Sequence, residues 1–495
     1  MSESDEVKAP FYVEDIFVGK TFNDFSINPR KGVVQRRGEV ALSSRFSRNI
    51  PLNLPVVSSN MDTVTGPKMC IAIAQEGGIG ILPRGDAISI KQQVDWVKEV
   101  KRAKNFIIPN PFSVLETQTI GQARTEMARK KVHTLLVEDA NGELVGMLTA
   151  GRIDICQNDN ELVGDWMKKR MGGGLTFTKD KISSLQEAID GLKRLDVTKL
   201  PLVDKNFKIR GLITSKDIGE LIRNPLANKD LKGCLRVGAA IGATGDYLER
   251  AAALIGAGAD VIVMDIAHGH SVVMEEAVGH FRQKFSHELV CGNVASYEGA
   301  LFLKELGVDG IKVGLGPGHG CWTRIETGVG VPQIHAIRAV RHALRGCDIP
   351  FIADGGVDFP GDVCKALAAG ASSVMMGNFL AGTEETPGET IFPAGGRPYK
   401  FYRGMTSPEA KLESLKSADE IQNVEGGSKQ VPYAGSVKKV LNRIKNDLQS
   451  MVSYAGEKSL QEAIGKISQD PIGYLIPLSR ASQAESYRRE DNSRP

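Results

Sequence analysis

No stretch of this sequence is apolar for long enough to cross a bilayer, since no run approaches the roughly 18–20 residues a membrane helix needs. Neither sign of charge is in surplus. Lys and Arg number 62 against 59 Asp and Glu, which leaves +3 and predicts no dedicated nucleic-acid surface. Cysteines are few and unpaired: Cys70, Cys156, Cys234, Cys291, Cys321, Cys347 and Cys364 stand singly, odd in number and without a CxxC. That excludes a disulfide scaffold and fits free thiols in a reducing compartment. Met1-Ser-Glu-Ser-Asp-Glu6 is acidic and lacks the apolar core of a secretory signal, so a cytoplasmic protein is expected. Ser493-Arg494-Pro495 partly resembles a peroxisomal Ser-Lys-Leu address, although the terminal proline departs from it. A peroxisome-like organelle (a glycosome) is therefore the second location considered.

The 495 residues allow two to four domains at roughly 100–200 residues each. Hydrophobic residues at 41% and charged residues at 24% are ordinary globular usage, which argues against a disordered, collagenous or coiled-coil chain. Glycine is plentiful, at 54 residues, and predicts tight turns and backbone close to ligands.

Leu54–Ser59 and Gly78–Leu82 read as short apolar strands, followed by helices over 67–75 and 88–101. Further strands are predicted at 235–241, 259–265, 288–293, 309–314, 349–353 and 372–376. Helices fall between them at 247–255, 300–306 and 333–344. Apolar strands alternating with helices signal a parallel sheet. Eight such units predict an α/β fold, a (β/α)8 TIM barrel, with an open doubly wound sheet as the alternative. Polar motifs after nearly every strand favour the barrel, whose working face lies at the carboxyl ends of its strands.

The predicted division is 1–102 for the first part of the barrel, 103–230 for an insert, and 231–495 for the rest. The insert repeats itself: Val132–Thr149 parallels Val197–Thr214 at a spacing of about 65 residues, giving copies over 103–166 and 167–230. Each copy reads as helix, strand, turn, strand and helix start. The repeat resembles a tandem pair of cystathionine-β-synthase-type (CBS) modules. That resemblance implies a regulatory purine-nucleotide site using Thr214 and Asp217. The first copy departs from it, with Arg152 where the aspartate is expected. A purely structural or oligomer-forming insert is the alternative.

The richest stretch is Val313–Gln333. Its alternating glycines 314, 316, 318 and 320 let the backbone turn tightly and present N–H or C=O groups to a ligand. Cys321 lies on this loop, whereas Cys291 in a strand and Cys364 in a helix read as small core residues. Four segments, Gly314-Leu-Gly-Pro-Gly-His-Gly-Cys-Trp-Thr323, Asn60-Met-Asp-Thr-Val-Thr65, Ile352-Ala-Asp-Gly-Gly356 and Tyr402-Arg-Gly-Met405, resemble the IMP dehydrogenase / GMP reductase family. The resemblance runs over nearly the whole chain.

It implies a purine 5′-monophosphate whose C2 is attacked by the Cys321 thiolate. Asp354, Gly355, Gly356, Gly377 and Asn378 would hold ribose and phosphate. Tyr402, Gly404, Met405 and Thr406, with Ser59 and Met61, would complete the substrate site. Asp265, Ile266, Ala267, Leu315, Gly316 and Met405 would meet a nicotinamide cofactor. Arg84 reads first as an ordinary surface arginine, with a contact to the extra phosphate of NADPH, which a guanidinium suits, as the alternative. Gly316, Gly318, Cys321 and Arg324 would form a backbone site for a monovalent cation such as K+.

Of the family's two reactions, the dehydrogenase needs a base for water, which the resemblance places in an Arg-Tyr pair downstream of Gly404-Met405. Residues 406–424 contain neither Arg nor Tyr, and the segment is short. Asp265-Ile-Ala-His-Gly269 and Val424–Pro432 are similar to reductase segments. GMP reductase is therefore the expectation, with Thr323 and Glu425 as the proton relay for the departing amine. The alternatives are IMP dehydrogenase and a non-catalytic nucleotide sensor; an inserted CBS pair is commoner in dehydrogenases. His319, Trp322, Asn378 and Gln422 depart from the family pattern. The resemblance further implies homotetramers, with octamers as the next level, and no nucleic-acid or membrane partner.

Overall fold

The computed structural model describes residues 13–486 apart from 86, 104–106, 109–110, 131, 173, 180–181, 183–184, 394 and 413–423. The readings at residues 1–6, at Gln422, over 413–423 within the 406–424 stretch, and at Ser493-Arg494-Pro495 lie outside these residues. No helix among the described residues is long and apolar enough to cross a membrane.

The described residues form two compact units. One comprises the chain up to Lys101, Leu226–Asp230, and everything from Leu235 onward; the other comprises Arg102–Pro225 and Leu231–Cys234. The first is a closed parallel barrel of eight strands: β1 Val56–Ser58, β2 Ile79–Leu82, β3 Val237–Ile241, β4 Val261–Asp265, β5 Leu289–Val294, β6 Gly310–Val313, β7 Phe351–Asp354 and β8 Ser373–Met376. Closure runs from β8 to β1 through Val374 opposite Val56, and from β2 to β3 through Val237 opposite Gly80. The strands are buried along nearly their whole length. This is why they read as continuous apolar runs rather than alternating ones.

All eight predicted strands are present, each beginning one or two residues later than expected. The reason is local at β3, where Leu235 bridges Lys229 and the Arg236 amide donates to the Asn228 carbonyl. The helix expected at 300 starts instead at Tyr297, because the Ser296 hydroxyl caps it by accepting from the Gly299 amide at 3.1 Å. Residues 226–230, assigned to the insert from sequence, belong to the barrel unit. Asn228 donates from its side-chain amide to the Gly78 carbonyl at 3.1 Å, and Asp230 pairs with Lys101 at 2.9 Å.

An antiparallel hairpin, Ser44–Ser47 with Ile50–Leu52, was not predicted. It closes the amino end of the barrel. Its Arg48 amide donates to the carbonyl of Asp309, just before β6, and Ser47 bonds to Glu288, just before β5. Phe46, Ile50 and Leu52 pack into one core with Val57, Ile79, Val263, Val290 and Met375. Phe46→Ala is expected to lower the unfolding free energy by about 3–5 kcal/mol, the usual cost of emptying a packed aromatic site. Chemical denaturation measures it; a loss under about 1 kcal/mol would mean that the hairpin is not part of the core.

The second unit carries the repeat. The hairpin Thr134–Glu138/Leu144–Thr149 pairs Thr134 with Thr149, and the hairpin Lys199–Val203/Ile209–Thr214 pairs Lys199 with Thr214. Each is irregular near its turn. Each turn is tied by an aspartate: Asp139 accepts from the Asn141 and Glu143 amides, and Asp204 from the Asn206 and Lys208 amides. The two copies thus share register and turn chemistry at the spacing read from sequence. They differ in the helix start: Thr214 and Asp217 bond to each other, whereas Arg152 donates to the Trp166 carbonyl at 3.1 Å. A cavity of about 310 Å³ lies in the first copy, lined by Arg124, His133 and Asp154 among others.

Candidate active site

A cleft of about 700 Å³ opens at the carboxyl ends of the barrel strands. Strand β6 is short because Gly314 follows it with φ +146°, in a position where a Cβ would lie 2.1 Å from the Asp354 carbonyl oxygen. Only glycine lets the chain leave β6 this close to the end of β7. The loop then turns back, with the Cys321 amide donating to the Gly318 carbonyl at 3.0 Å.

Three reactive groups stand in series. Cys321 Sγ is 3.1 Å from Thr323 Oγ1, and Thr323 Oγ1 donates to Glu425 Oε2 at 2.7 Å. The hydroxyl's one proton is committed to the carboxylate, so the thiol is the donor to the hydroxyl. Backbone bonds hold the two segments together: the Trp322 amide donates to the Glu425 carbonyl at 2.7 Å, the Gly427 amide to the Gly320 carbonyl at 3.2 Å, and the Gly404 amide to the Gly427 carbonyl at 2.9 Å. Cys321 is half-buried at the cleft. Burial pushes the thiols of Cys70 and Cys291 far above the ordinary range and that of Cys364 up to about 12. Those three are core residues that cannot form a thiolate at neutral pH.

At the floor of the cleft, Lys312 Nζ bridges Asp354 Oδ2 at 2.7 Å and Asp265 Oδ1 at 3.0 Å. Asn293 donates to Asp354 at 3.0 Å and to the Gly314 carbonyl at 2.7 Å, and Asn60 donates to Asp265 at 2.6 Å. Burial works against the Lys312 ammonium, but the two carboxylates outweigh it and hold its pKa above the usual lysine range. Tyr402 stays a neutral phenol, its pKa pushed up by burial and by the nearby Asp354 charge. The Tyr402 hydroxyl lies 3.7 Å from Met61 Sδ, and Arg403 pairs with Asp62 at 2.5 Å. The side-chain carbonyl oxygens of Asn293 and Asn378 are buried in the cleft wall with no hydrogen-bond partner among the described residues. They can accept from a ligand.

The cleft gathers Cys321, Thr323 and Glu425; Ser59, Met61, Asp354, Gly355, Gly356, Gly377, Asn378, Tyr402, Gly404, Met405 and Thr406; and Arg84, Asp265, Ile266, Ala267, Leu315 and Gly316. Arg84 donates to the Asp265 carbonyl at 3.4 Å, so it is a cleft residue and not an ordinary surface arginine. The four residues read as a cation site share one loop. The Gly318 carbonyl accepts from the Cys321 amide and keeps a second lone pair, and the Arg324 side chain lies beside Gly316 and Gly330 and donates to the Val331 carbonyl. Sequence reasoning missed Lys312, and it noted Asn60 and Asn293 only as polar residues after strands, without a role in the site. The readable signal for Lys312 was a charge alone in an apolar strand, Ile311-Lys312-Val313.

Asp265, held by Lys312 and Asn60, lines the cleft together with Leu315, Ala267 and Asn293, whose side-chain oxygen has no partner among the described residues, and this mixed polar and apolar lining suits a nucleotide cofactor. A thiol, a hydroxyl and a carboxylate in a row at the carboxyl face of a closed parallel barrel form a site suited to covalent and proton-transfer chemistry. The IMP dehydrogenase / GMP reductase domain matches residues 19–487. An inosine-5′-monophosphate dehydrogenase of Aquifex aeolicus is 42% identical over 453 residues, covering 90% of this chain and 91% of that protein. One from Nitrosopumilus maritimus is 40% identical over 478 residues, covering 94% and 97%. A crystal structure of a cysteine-to-alanine variant of GMP reductase from Trypanosoma brucei, in complex with guanosine 5′-monophosphate, is similar with a TM-score of 0.88 at 35% identity, covering 95% of this chain and 97% of that one. The same enzyme in complex with guanosine 5′-triphosphate aligns with a TM-score of 0.79 at 33% identity, covering 93% and 98%. The chain belongs to the IMP dehydrogenase / GMP reductase family.

Proposed function

We propose that the protein is a GMP reductase, converting GMP to IMP and ammonia at the expense of NADPH. The observation that carries this reading is the unbroken row from Cys321 Sγ through Thr323 Oγ1 to Glu425 Oε2, at 3.1 and 2.7 Å. Deamination asks for this arrangement. The sulfur bonds to C2 as the C2–N bond breaks, and the thiol proton travels through the Thr323 hydroxyl and Glu425 to the departing amine, which leaves as ammonia. A thioimidate on Cys321 remains. The reduced nicotinamide, when bound, supplies hydride to C2. Cys321 then leaves as thiolate and regains its proton from solvent. Asp354, fixed by Lys312 and Asn293, orients the ribose, and glycines 355, 356 and 377 offer backbone N–H groups to the phosphate. Arg84 is the guanidinium suited to the additional phosphate of NADPH.

A second reading, IMP dehydrogenase, is favoured by the 42% identity to a protein of that name. It requires a base for water, and residues 406–424 contain neither Arg nor Tyr. Two assays decide: NADPH loss with GMP, matched by ammonia and IMP, is expected. NAD reduction with IMP, yielding xanthosine monophosphate, would overturn the reading. Glu425→Gln is expected to cut GMP turnover by about 10²–10⁴-fold, the usual worth of positioned acid–base catalysis. A loss below tenfold would remove Glu425 from the relay.

We also propose that the second unit is a CBS pair that binds purine nucleotides, and that the barrels assemble as tetramers, with octamers formed through the CBS pairs. Unchanged activity and sedimentation across millimolar ATP and GTP would count against nucleotide control.

A further inference from the structure

Glu425 lies on neither helix nor strand. Its carboxylate must nevertheless be held to hydrogen-bond precision against Thr323. Backbone bonds from Trp322 and Gly427 fix the two ends of the segment 425–427. Between them lies the Trp322 side chain. A Cβ on Gly427 would sit 2.1 Å from Cζ2, 2.3 Å from Cε2 and 2.7 Å from Nε1 of this indole. The indole therefore rests directly on the Gly427 backbone, in space that any other residue at 427 would need. Trp322 is 39% exposed, so it is not an ordinary core tryptophan. It bridges two loops and immediately follows the nucleophile.

We propose that the Trp322 indole is a latch that clamps residues 425–427 onto the Cys321 loop, making Trp322 a positioning residue for the Glu425 carboxylate. Gly427 is its matching receptor. The catalytic consequence rests on the reductase reading, in which Glu425 delivers the proton to the amine. Loosening the latch leaves the ribose and phosphate contacts intact, since these come from β7 and β8. The loss therefore falls on kcat and not on KM.

The test is a double-substitution cycle on the full-length enzyme. Trp322→Ala is expected to lower kcat with GMP at least tenfold while KM for GMP stays within threefold, and Trp322→Phe to restore kcat to within threefold of the parent. Gly427→Ala is expected to reduce kcat and the melting temperature in the parent, because the new methyl meets the indole. In the Trp322→Ala background the same Gly427→Ala change is expected to cost no more than twofold in kcat and to leave the melting temperature unchanged. An unaltered kcat in Trp322→Ala, or Gly427→Ala losses of equal size in both backgrounds, would overturn the latch. The product formed by the parent enzyme tests the reductase reading separately. The melting-temperature arm tests the indole–glycine contact whichever reaction the parent runs.

Discussion

Cys321→Ala is expected to abolish turnover, lowering kcat by about 10⁴–10⁶-fold, the scale seen when a covalent nucleophile is removed. No other thiol can take over. Cys70, Cys291 and Cys364 are buried with raised pKa values, and among the cysteines only Cys321 lines the cleft. Binding should survive the change, because Asp354, the carboxylate proposed to hold the ribose, is fixed by Lys312 and Asn293 and not by the sulfur. The variant is therefore expected to bind GMP with little change in affinity by calorimetry while forming no IMP. Cys321→Ser should be nearly as poor, since an alkoxide is far harder to form than a thiolate at neutral pH. Turnover within a hundredfold of the parent would remove the covalent step. Loss of GMP binding together with activity would mean that the sulfur serves the ground state instead.

Much of this site was legible because its chemistry sits on loops with unusual composition. The glycine-alternating stretch 314–320 leading to Cys321, and the aspartate opening Asp354-Gly355-Gly356, cannot be ordinary strand or helix. The barrel was legible because two-sided burial leaves its strands apolar throughout. What escaped had the opposite character. The hairpin over 44–52 is polar and proline-containing in sequence, and it became core only because Phe46 and Ile50 plug an opening that eight distant strands create. The Lys312 network joins β6 to β4 and β7, with Asn60 entering after β1, and no local pattern announces partners so far apart in sequence. Arg324 was read through its backbone, yet its side chain fills the place beside Gly316. In the repeat, the strand–turn–strand register was readable from the spacing. The cavity in the first copy was not, because it depends on how helix Ile120–Lys130 packs there.

Lys312→Met is expected to damage stability and both binding sites together. Lys312 is 3% exposed, and its ammonium lies between Asp354 and Asp265, the carboxylates proposed to meet the ribose and the cofactor. Removing it leaves two partly buried negative charges without their shared partner, which typically costs about 3–5 kcal/mol. Those carboxylates position sugar hydroxyls in the proposed reaction, so KM for GMP and for NADPH should rise together. The pH dependence has a definite sign. The folded-state pKa of Lys312 lies above its unfolded value of about 10.4, so its contribution is fully present below roughly pH 10 and is lost only as pH rises through the folded value. Across pH 5–8 the parent therefore gains or loses nothing through this lysine. The deficit of Lys312→Met, read from denaturant midpoints, should therefore be level from pH 5 to pH 8 and should shrink only as the pH rises past about 10, where the parent's own ammonium contribution begins to be lost. A deficit that stays the same size up to about pH 11 would mean that Lys312 acts through packing alone and not through its charge.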